Sequence, residues 1–391
     1  MKFAFLIFKY FPYGGMQRDM LRTANELVKR GHTVEIFAMS WQGDAPSAGI
    51  KVREIPATGL FNYQRYQKFI NQAHTAINNA GDFDFIFGYN RMAGLDAHFA
   101  ADPCFIERAY KQRSFLYRLL PRVKWFSECE RVIFAKESST EILMVSETEK
   151  AHFQHWYQTQ SERFHYIPPF LSAERFKLED KQQMRSHLRN TFNFGQDDFV
   201  FMLTGSGFHM KGLDRAINAL AALPANYKEC VRLIAVGQDN PKPFEIMAKK
   251  LGVAKNLVVS KGRPDIPQLM QGADVCVHPA YRENTGLVIL EALACGAPML
   301  VTESCGYAKH VAQANAGIVV ELPFDQAKFN QTFLTMIETP NKQEWAANGL
   351  KYAQALMHEN DGSAEAKILI GLAESKTAER KAEQKKLQTA A

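Results

Sequence analysis

Two α/β domains of the Rossmann kind, facing each other across a central cleft, are the fold class that three features of the sequence predict. Apolar runs of strand length alternate with helix-length segments, the pattern of a parallel sheet covered by helices. The alternation stops at Pro168-Pro169 and then starts again. The 391 residues also exceed what one hydrophobic core organises, which favours two domains of about 150–200 residues.

Element by element, FAFLIF is a continuous apolar run that KYFPYGG breaks. MQRDMLRTANELVKRG follows, with Met16, Met20, Ala24, Leu27 and Val28 at helical spacing. HTVEIFAM is the next strand, so strand, glycine turn, helix and strand make a βαβ unit with a right-handed crossover. FDFIFGY and EILMVSE are further strands, the second leading into the helical TEKAHFQHWY. After HYIPPF, whose prolines suit neither a helix interior nor a central strand, come DFVFMLTGS, VRLIAVG, NLVVS, ADVCVHP, APMLVT and AGIVVE, each separated by a helix-length segment. The expected boundaries are 1–166 and 171–355 for the two domains, 356–373 for a helix returning to the first, and 374–391 for a charged tail that is frayed or disordered.

Hydrophobic residues make up 46% and charged residues 23%, which excludes a largely disordered chain. The net charge of +6 is modest and carries meaning only where it clusters. The six cysteines form no C-x-x-C pair and read as buried thiols in a reducing compartment. The N-terminal apolar run is short and interrupted by Lys9, and is read as a strand rather than a secretory leader. No uncharged run approaches the roughly 18 apolar residues of a membrane span, so membrane contact is expected to be peripheral.

YRENTGLVILEA keeps two carboxylates, Glu283 and Glu291, in an otherwise apolar segment. A buried carboxylate costs several kcal/mol unless hydrogen-bonded, so something polar is expected to be held there. A strand ends near Pro279, a loop carries Glu283, and a helix begins near Thr285-Gly286. Its N-terminus offers free amides and a positive dipole end to a phosphate. Glu291, one to two turns into that helix, is in reach of hydroxyls on the same ligand, so a phosphate-linked polyol accounts for both acids. GDFDF contains a D-x-D but leads into a strand, so Asp82 and Asp84 are not expected to bind metal. The absence of G-x-G-x-x-G after either first strand speaks against a dinucleotide oxidoreductase.

The E-x7-E arrangement followed by ALACGAP, with the repeated βαβ pattern, resembles retaining GT-B glycosyltransferases that use nucleotide sugars (family 4, group 1). FKYFPYGGMQRDMLRTA, SWQGD, GYNRMAGLDAHFAADPCF and FLYRLLPR are similar more narrowly to the bacterial lipopolysaccharide core glucosyltransferases acting on the inner-core heptose; the similarity runs from about residue 1 to 370. The resemblance implies that Glu283 lies beside the donor sugar and that Glu291 holds the ribose hydroxyls. The amides of Thr285, Gly286 and Leu287 would bind the sugar or diphosphate, and Gly14-Gly15 would let backbone approach the diphosphate. Lys211, in TGSGFHMKGLD, matches the diphosphate lysine, and Asp102 matches an acceptor-side aspartate that orients the acceptor hydroxyl or the sugar. The chain departs from the pattern at Ser206 and Met210, where many relatives carry arginine. Either His209, Arg215 or another group is therefore expected to supply the second cation, or the leaving group is less well stabilised.

Between Arg108 and Ser127 there are six basic residues and no acid: Arg108, Lys111, Arg113, Arg118, Arg122 and Lys124. They are interleaved with Phe115, Leu116, Tyr117, Leu119, Leu120, Trp125 and Phe126. This composition, within a segment spanning 105–134, suits an anionic membrane surface; single-stranded nucleic acid has no motif to support it. Pro121 is expected to kink any helix there. The expected enzyme moves a hexose, glucose first, from a UDP-sugar to an inner-core heptose of lipopolysaccharide. It would work without metal or other cofactor on the cytoplasmic face of the inner membrane, with anionic lipids as partners. UDP-GalNAc or UDP-GlcNAc as donor, or a non-catalytic membrane-docked scaffold, are the alternatives.

Overall fold

In the computed structural model, which describes residues 1–12 and 14–390, the chain divides into two units: Met1–Pro168 with Asp361–Ala391, and Pro169–Asn360. The first holds β1 (Lys2–Tyr10), β2 (Thr33–Trp41), β3 (Ile50–Glu54), β4 (Phe85–Gly88), β5 (Ala97–Ala100), β6 (Glu141–Met144) and β7 (Phe164–Tyr166). The second holds β8 (Phe199–Thr204), β9 (Val231–Val236), β10 (Leu257–Ser260), β11 (Val275–His278), β12 (Met299–Thr302) and β13 (Gly317–Val320). Both sheets are parallel. Their orders are β3-β2-β1-β4-β5-β6-β7 and β10-β9-β8-β11-β12-β13, the doubly wound order in which the first three strands run outward and the fourth returns to the other side of the first. The reversal points, β1 beside β4 and β8 beside β11, leave a crevice at the carboxyl ends of those strands, where ligands of such sheets bind.

Strand alternation builds a core on both faces of each sheet. On β1, Phe3, Phe5 and Ile7 join one cluster while Ala4, Leu6 and Phe8 join the other. On β8, Val200 and Met202 face one way, Phe201 and Leu203 the other. The strands missing from the sequence reading lack this signature. β3 is an edge strand with polar alternation, β5 has four residues, and β7 has three at the opposite edge.

Two expectations about the C-terminus are corrected. The helix expected over 356–373 is two pieces: Lys342–Glu359 ends in the second unit, and Ala364–Ala390 belongs to the first. Residues 374–390 are helical rather than frayed. Good helix formers continue without Pro or Gly after Gly371, and Lys376 forms an ion pair with Asp96. Ala366, Leu369 and Ala373 of this helix are fully buried beside Phe3 and Phe5. Glu365 is fully buried as well; it accepts from Tyr89 Oη at 2.7 Å and lies 3.5 Å from Arg22 Nη2. Burial pushes its carboxyl up to about 7, against the opposing pull of Arg22 and with a further push from Asp19.

Leu369→Ala is expected to destabilise the first unit by about 2–5 kcal/mol, seen as an earlier transition in denaturant or calorimetry. Glu365 binds more protons folded than unfolded between its ordinary value of 4.5 and about 7, so its contribution falls as pH rises across that window. Relative to Glu365→Gln, the wild type should therefore lose melting temperature from pH 4.5 to 7 and run parallel to the variant above it. A difference that stays flat across the window contradicts this.

Candidate active site

The two loops at the reversal point of the second sheet carry the predicted donor residues, and they are zipped together. Gly212 takes φ +77°, and a Cβ there would stand 2.0 Å from the carbonyl oxygen of Pro279, so only glycine lets the loop after β8 close on the loop after β11. Tyr281 N donates to Met210 O at 2.9 Å. Arg215 donates to the carbonyls of Pro279 and Ala280 at 3.1 and 3.0 Å, its guanidinium 3.6 Å from the ring centroids of both Tyr281 and Phe324. Arg215 is thus 9% exposed and spent on loop carbonyls, and is not placed to face a ligand as the sequence reading allowed. His209 is exposed and stacks on Tyr281, whose hydroxyl donates to Asp214 at 2.6 Å.

Lys211 Nζ and the Glu283 carboxylate form an ion pair inside this frame, with side chains 19% and 20% exposed. His278, at the end of β11, lies 3.6 Å from the same carboxylate and is buried, which holds its imidazole below the usual range and favours the neutral ring. Burial raises the Glu283 carboxyl, but its contacts with His278 and Lys211 outweigh this and bring it down to about 2. It is an anion at neutral pH. His278 was missed by the sequence reading, although its place at a strand's carboxyl end next to Pro279 was visible.

The Glu283 loop is strapped from the other side by 302–307. Glu283 N donates to Ser304 O, Gly306 N to Glu283 O and Tyr307 N to Thr285 O, while Thr302 and Ser304 hydroxyls donate to Ala280 O. Gly286, at φ +82°, turns the chain into the helix Leu287–Ala294. Thr285, Gly286 and Leu287 stand at the helix start, where backbone amides have no preceding turn to bond. Glu291, 8% exposed, lies in that helix's second turn. Lys211, Glu283, Thr285, Gly286, Leu287 and Glu291 are therefore one locality. In the neighbouring loop Gly207 N donates to Asp239 Oδ2 at 2.6 Å, a partner the sequence did not suggest.

In the first unit, Gly14 caps and Gly15 opens the helix Gly15–Lys29 directly after β1. Neither has a positive φ, so the turn itself does not require glycine; the space beside Gly15 is open. Asp102 is exposed just past β5. Asp82 and Asp84 serve the fold: Asp82 pairs with Lys2 Nζ at 2.7 Å and Asp84 accepts Lys2 N at 2.7 Å.

The basic segment folds as three helices, Phe105–Lys111, Phe115–Arg118 and Pro121–Phe134. Pro121 opens the third as its first residue instead of kinking it, because the missing N–H is no loss there. Arg108, Lys111, Arg113, Arg122 and Lys124 are exposed, Lys111 pairing with Glu107 at 3.0 Å. Arg118 is turned inward, donating to the carbonyls of Ala109 and Tyr110. Phe115 and Leu116 are 67% and 74% exposed, whereas Trp125 and Phe126 pack against Tyr66. Leu60 and Phe61 are also exposed; with Tyr66, Leu120, Arg122 and Phe126 they line a cavity of about 520 Å³. Among the described residues no helix is long and apolar enough to cross a membrane.

The family model for group 1 glycosyl transferases matches residues 184–351, and that for glycosyltransferase family 4 matches residues 13–175. The lipopolysaccharide glucosyltransferase WaaG of Escherichia coli K12 is 38% identical over 90% of this chain and 93% of its own length. A D-inositol 3-phosphate glycosyltransferase of Stackebrandtia nassauensis is 25% identical over 87% of this chain and 83% of its own. The crystal structure of WaaG, a glycosyltransferase involved in lipopolysaccharide biosynthesis, superposes with TM-score 0.87 at 36% identity, covering 94% of this chain and all of that one. Anabaena Alr3699/HepE in complex with UDP and glucose superposes with TM-score 0.73 at 18% identity over 95% and 99%, a likeness of fold. The chain belongs to the lipopolysaccharide core glucosyltransferase family and is a hexosyltransferase of GT-B fold.

Proposed function

We propose that the chain transfers a hexose, glucose first, from a UDP-sugar to an inner-core heptose of lipopolysaccharide, with retention of anomeric configuration, at the cytoplasmic face of the inner membrane. The observation that carries this reading is the Lys211–Glu283 pair beside a helix start at the reversal point of the second sheet. On donor binding Lys211 exchanges Glu283 for a diphosphate oxygen and stabilises departing UDP, while freed Glu283 faces the sugar. One such preorganised donor is worth about 2.7–4 kcal/mol in the transition state. With Arg215 committed to loop carbonyls, the amides at Thr285–Leu287 supply positive potential, and exposed His209, on the loop that carries Lys211, assists. Glu291 takes the ribose hydroxyls, and Asp102 orients the acceptor. No metal or other cofactor enters this scheme.

The acceptor is carried on a lipid, and the exposed Arg113, Arg122 and Lys124 beside exposed Phe115, Leu116 and Leu120 fit an anionic surface. The glucose assignment rests on the Escherichia coli relative named above.

UDP release should be measured with UDP-glucose, UDP-galactose and their N-acetyl forms, with and without heptose-terminated core lipid. Acceptor-dependent release from UDP-glucose is expected; release from another donor alone reassigns the sugar, and UDP binding without release from any donor places the acceptor outside the lipopolysaccharide core. Lys211→Ala and Glu283→Ala should each lower kcat/KM by about a hundredfold or more. A near-native rate removes that residue from the scheme. Replacing Arg113, Arg122 and Lys124 by alanine together should weaken sedimentation with anionic vesicles roughly a hundredfold, at about 1 kcal/mol per charge, and leave neutral vesicles unaffected. Unchanged binding to anionic vesicles refutes the lipid partner.

A further inference from the structure

Asp102 begins a five-residue stretch whose backbone is held by side chains from three other parts of the first unit. Arg91, just past β4, donates through Nη2 to the carbonyls of Asp102 at 3.0 Å and Pro103 at 2.7 Å. Glu149 accepts the amide of Cys104 at 2.9 Å. Glu130, on the helix Pro121–Phe134, accepts the amides of Phe105 at 2.7 Å and Ile106 at 2.9 Å. The clamp is closed on itself, because Arg91 Nη1 lies 3.2 Å from Glu130 Oε1 and Tyr157 Oη donates to Glu130 Oε2 at 2.8 Å.

Glu130 is fully buried and the Arg91 side chain is 11% exposed. A buried ion pair recovers little beyond its own desolvation, so it is a costly means of stability alone. A short polar side chain at the cap would satisfy the amides of the helix Phe105–Lys111 more cheaply. What the pair adds is geometry. A planar guanidinium bridging two carbonyls and a carboxylate fixes the peptide planes of residues 102 and 103, and with them the direction in which the Asp102 side chain leaves the loop.

We propose that Arg91 and Glu130 are positioning residues that aim Asp102 at the acceptor. The inference rests on Asp102 being the acceptor-side residue of the reaction proposed above. Arg91 meets the two carbonyls with Nη2 and Glu130 with Nη1, two nitrogens at a fixed spacing that a lysine, with one, does not present. Tyr157 holds the far side of the Glu130 carboxylate, so its hydroxyl belongs to the same device.

The test uses the full chain with UDP-glucose and heptose-terminated core lipid, measuring acceptor kcat and KM, acceptor-free UDP release, UDP affinity and melting temperature for Arg91→Lys, Glu130→Gln and Tyr157→Phe. Arg91→Lys and Glu130→Gln should lower acceptor kcat/KM at least tenfold, and Tyr157→Phe severalfold. UDP affinity and acceptor-free release should stay within twofold of the parent, a split that general loosening of the unit does not produce. In an Asp102→Asn background, Arg91→Lys should cost less than a further twofold, since there is no carboxylate left to aim. The proposal is overturned if Asp102→Asn is impaired while Arg91→Lys and Glu130→Gln keep native acceptor kinetics, or if their losses multiply with that of Asp102→Asn. If Asp102→Asn itself has native acceptor kinetics, the role given to Asp102 is what fails. Should Glu130→Gln not fold, Arg91→Lys and Tyr157→Phe still decide the matter.

Discussion

The Lys211–Glu283 ion pair sets the terms for the second unit. Two opposite charges, each about one-fifth exposed, are held in contact by loops from β8 and β11, the strands that flank the point where the winding reverses. Nearly everything around them keeps those loops in register. Gly212 permits the close approach to Pro279, Arg215 grips the Pro279 and Ala280 carbonyls, and residues 302–307 strap the Glu283 loop from behind. The arrangement explains why a cation as strong as Arg215 is buried between aromatic rings instead of facing a substrate. Arg215 instead holds the frame in which Lys211 and Glu283 meet.

The first unit solves a related problem by different means. Apolar residues line both faces of its sheet, and charge sits in mid-strand in the Glu35–Arg53 pair as well as along the connections. Glu130, Glu149 and Arg91 gather at one such connection, where they replace the backbone partners that an irregular segment would otherwise draw from water. The helix that carries Glu130 also exposes Arg122 and Lys124 at its opposite end. One rigid element therefore spans a surface-facing basic patch and the anchor of the Asp102 loop.

Much of this was legible in the sequence wherever a residue's local context was abnormal for its type. Glu283 and Glu291 stood out as acids in an apolar run. The strands of the second unit stood out as continuous apolar segments, as parallel strands buried on both faces must be. What stayed hidden depends on partners distant along the chain. Nothing in GYNRMAG marks Arg91 as the companion of Glu130, and nothing near Gly212 reveals that a carbonyl from Pro279 lies against it. Arg215 was read as a spare cation because its sequence neighbours do not announce Tyr281 and Phe324. The charge of the tail suggests disorder, but its helix propensity and the ion pair that Asp96 offers Lys376 make it helical.

The returning helix Ala364–Ala390 bears on how the protein is made. Ala366, Leu369 and Ala373 complete the core around Phe3 and Phe5, yet they leave the ribosome only after the whole second unit has been synthesised. Domains commonly fold in order of emergence, first one out first. One flank of the first unit's sheet therefore lacks its cover until Pro169–Asn360 has been translated, so the first unit is completed after the second has been made.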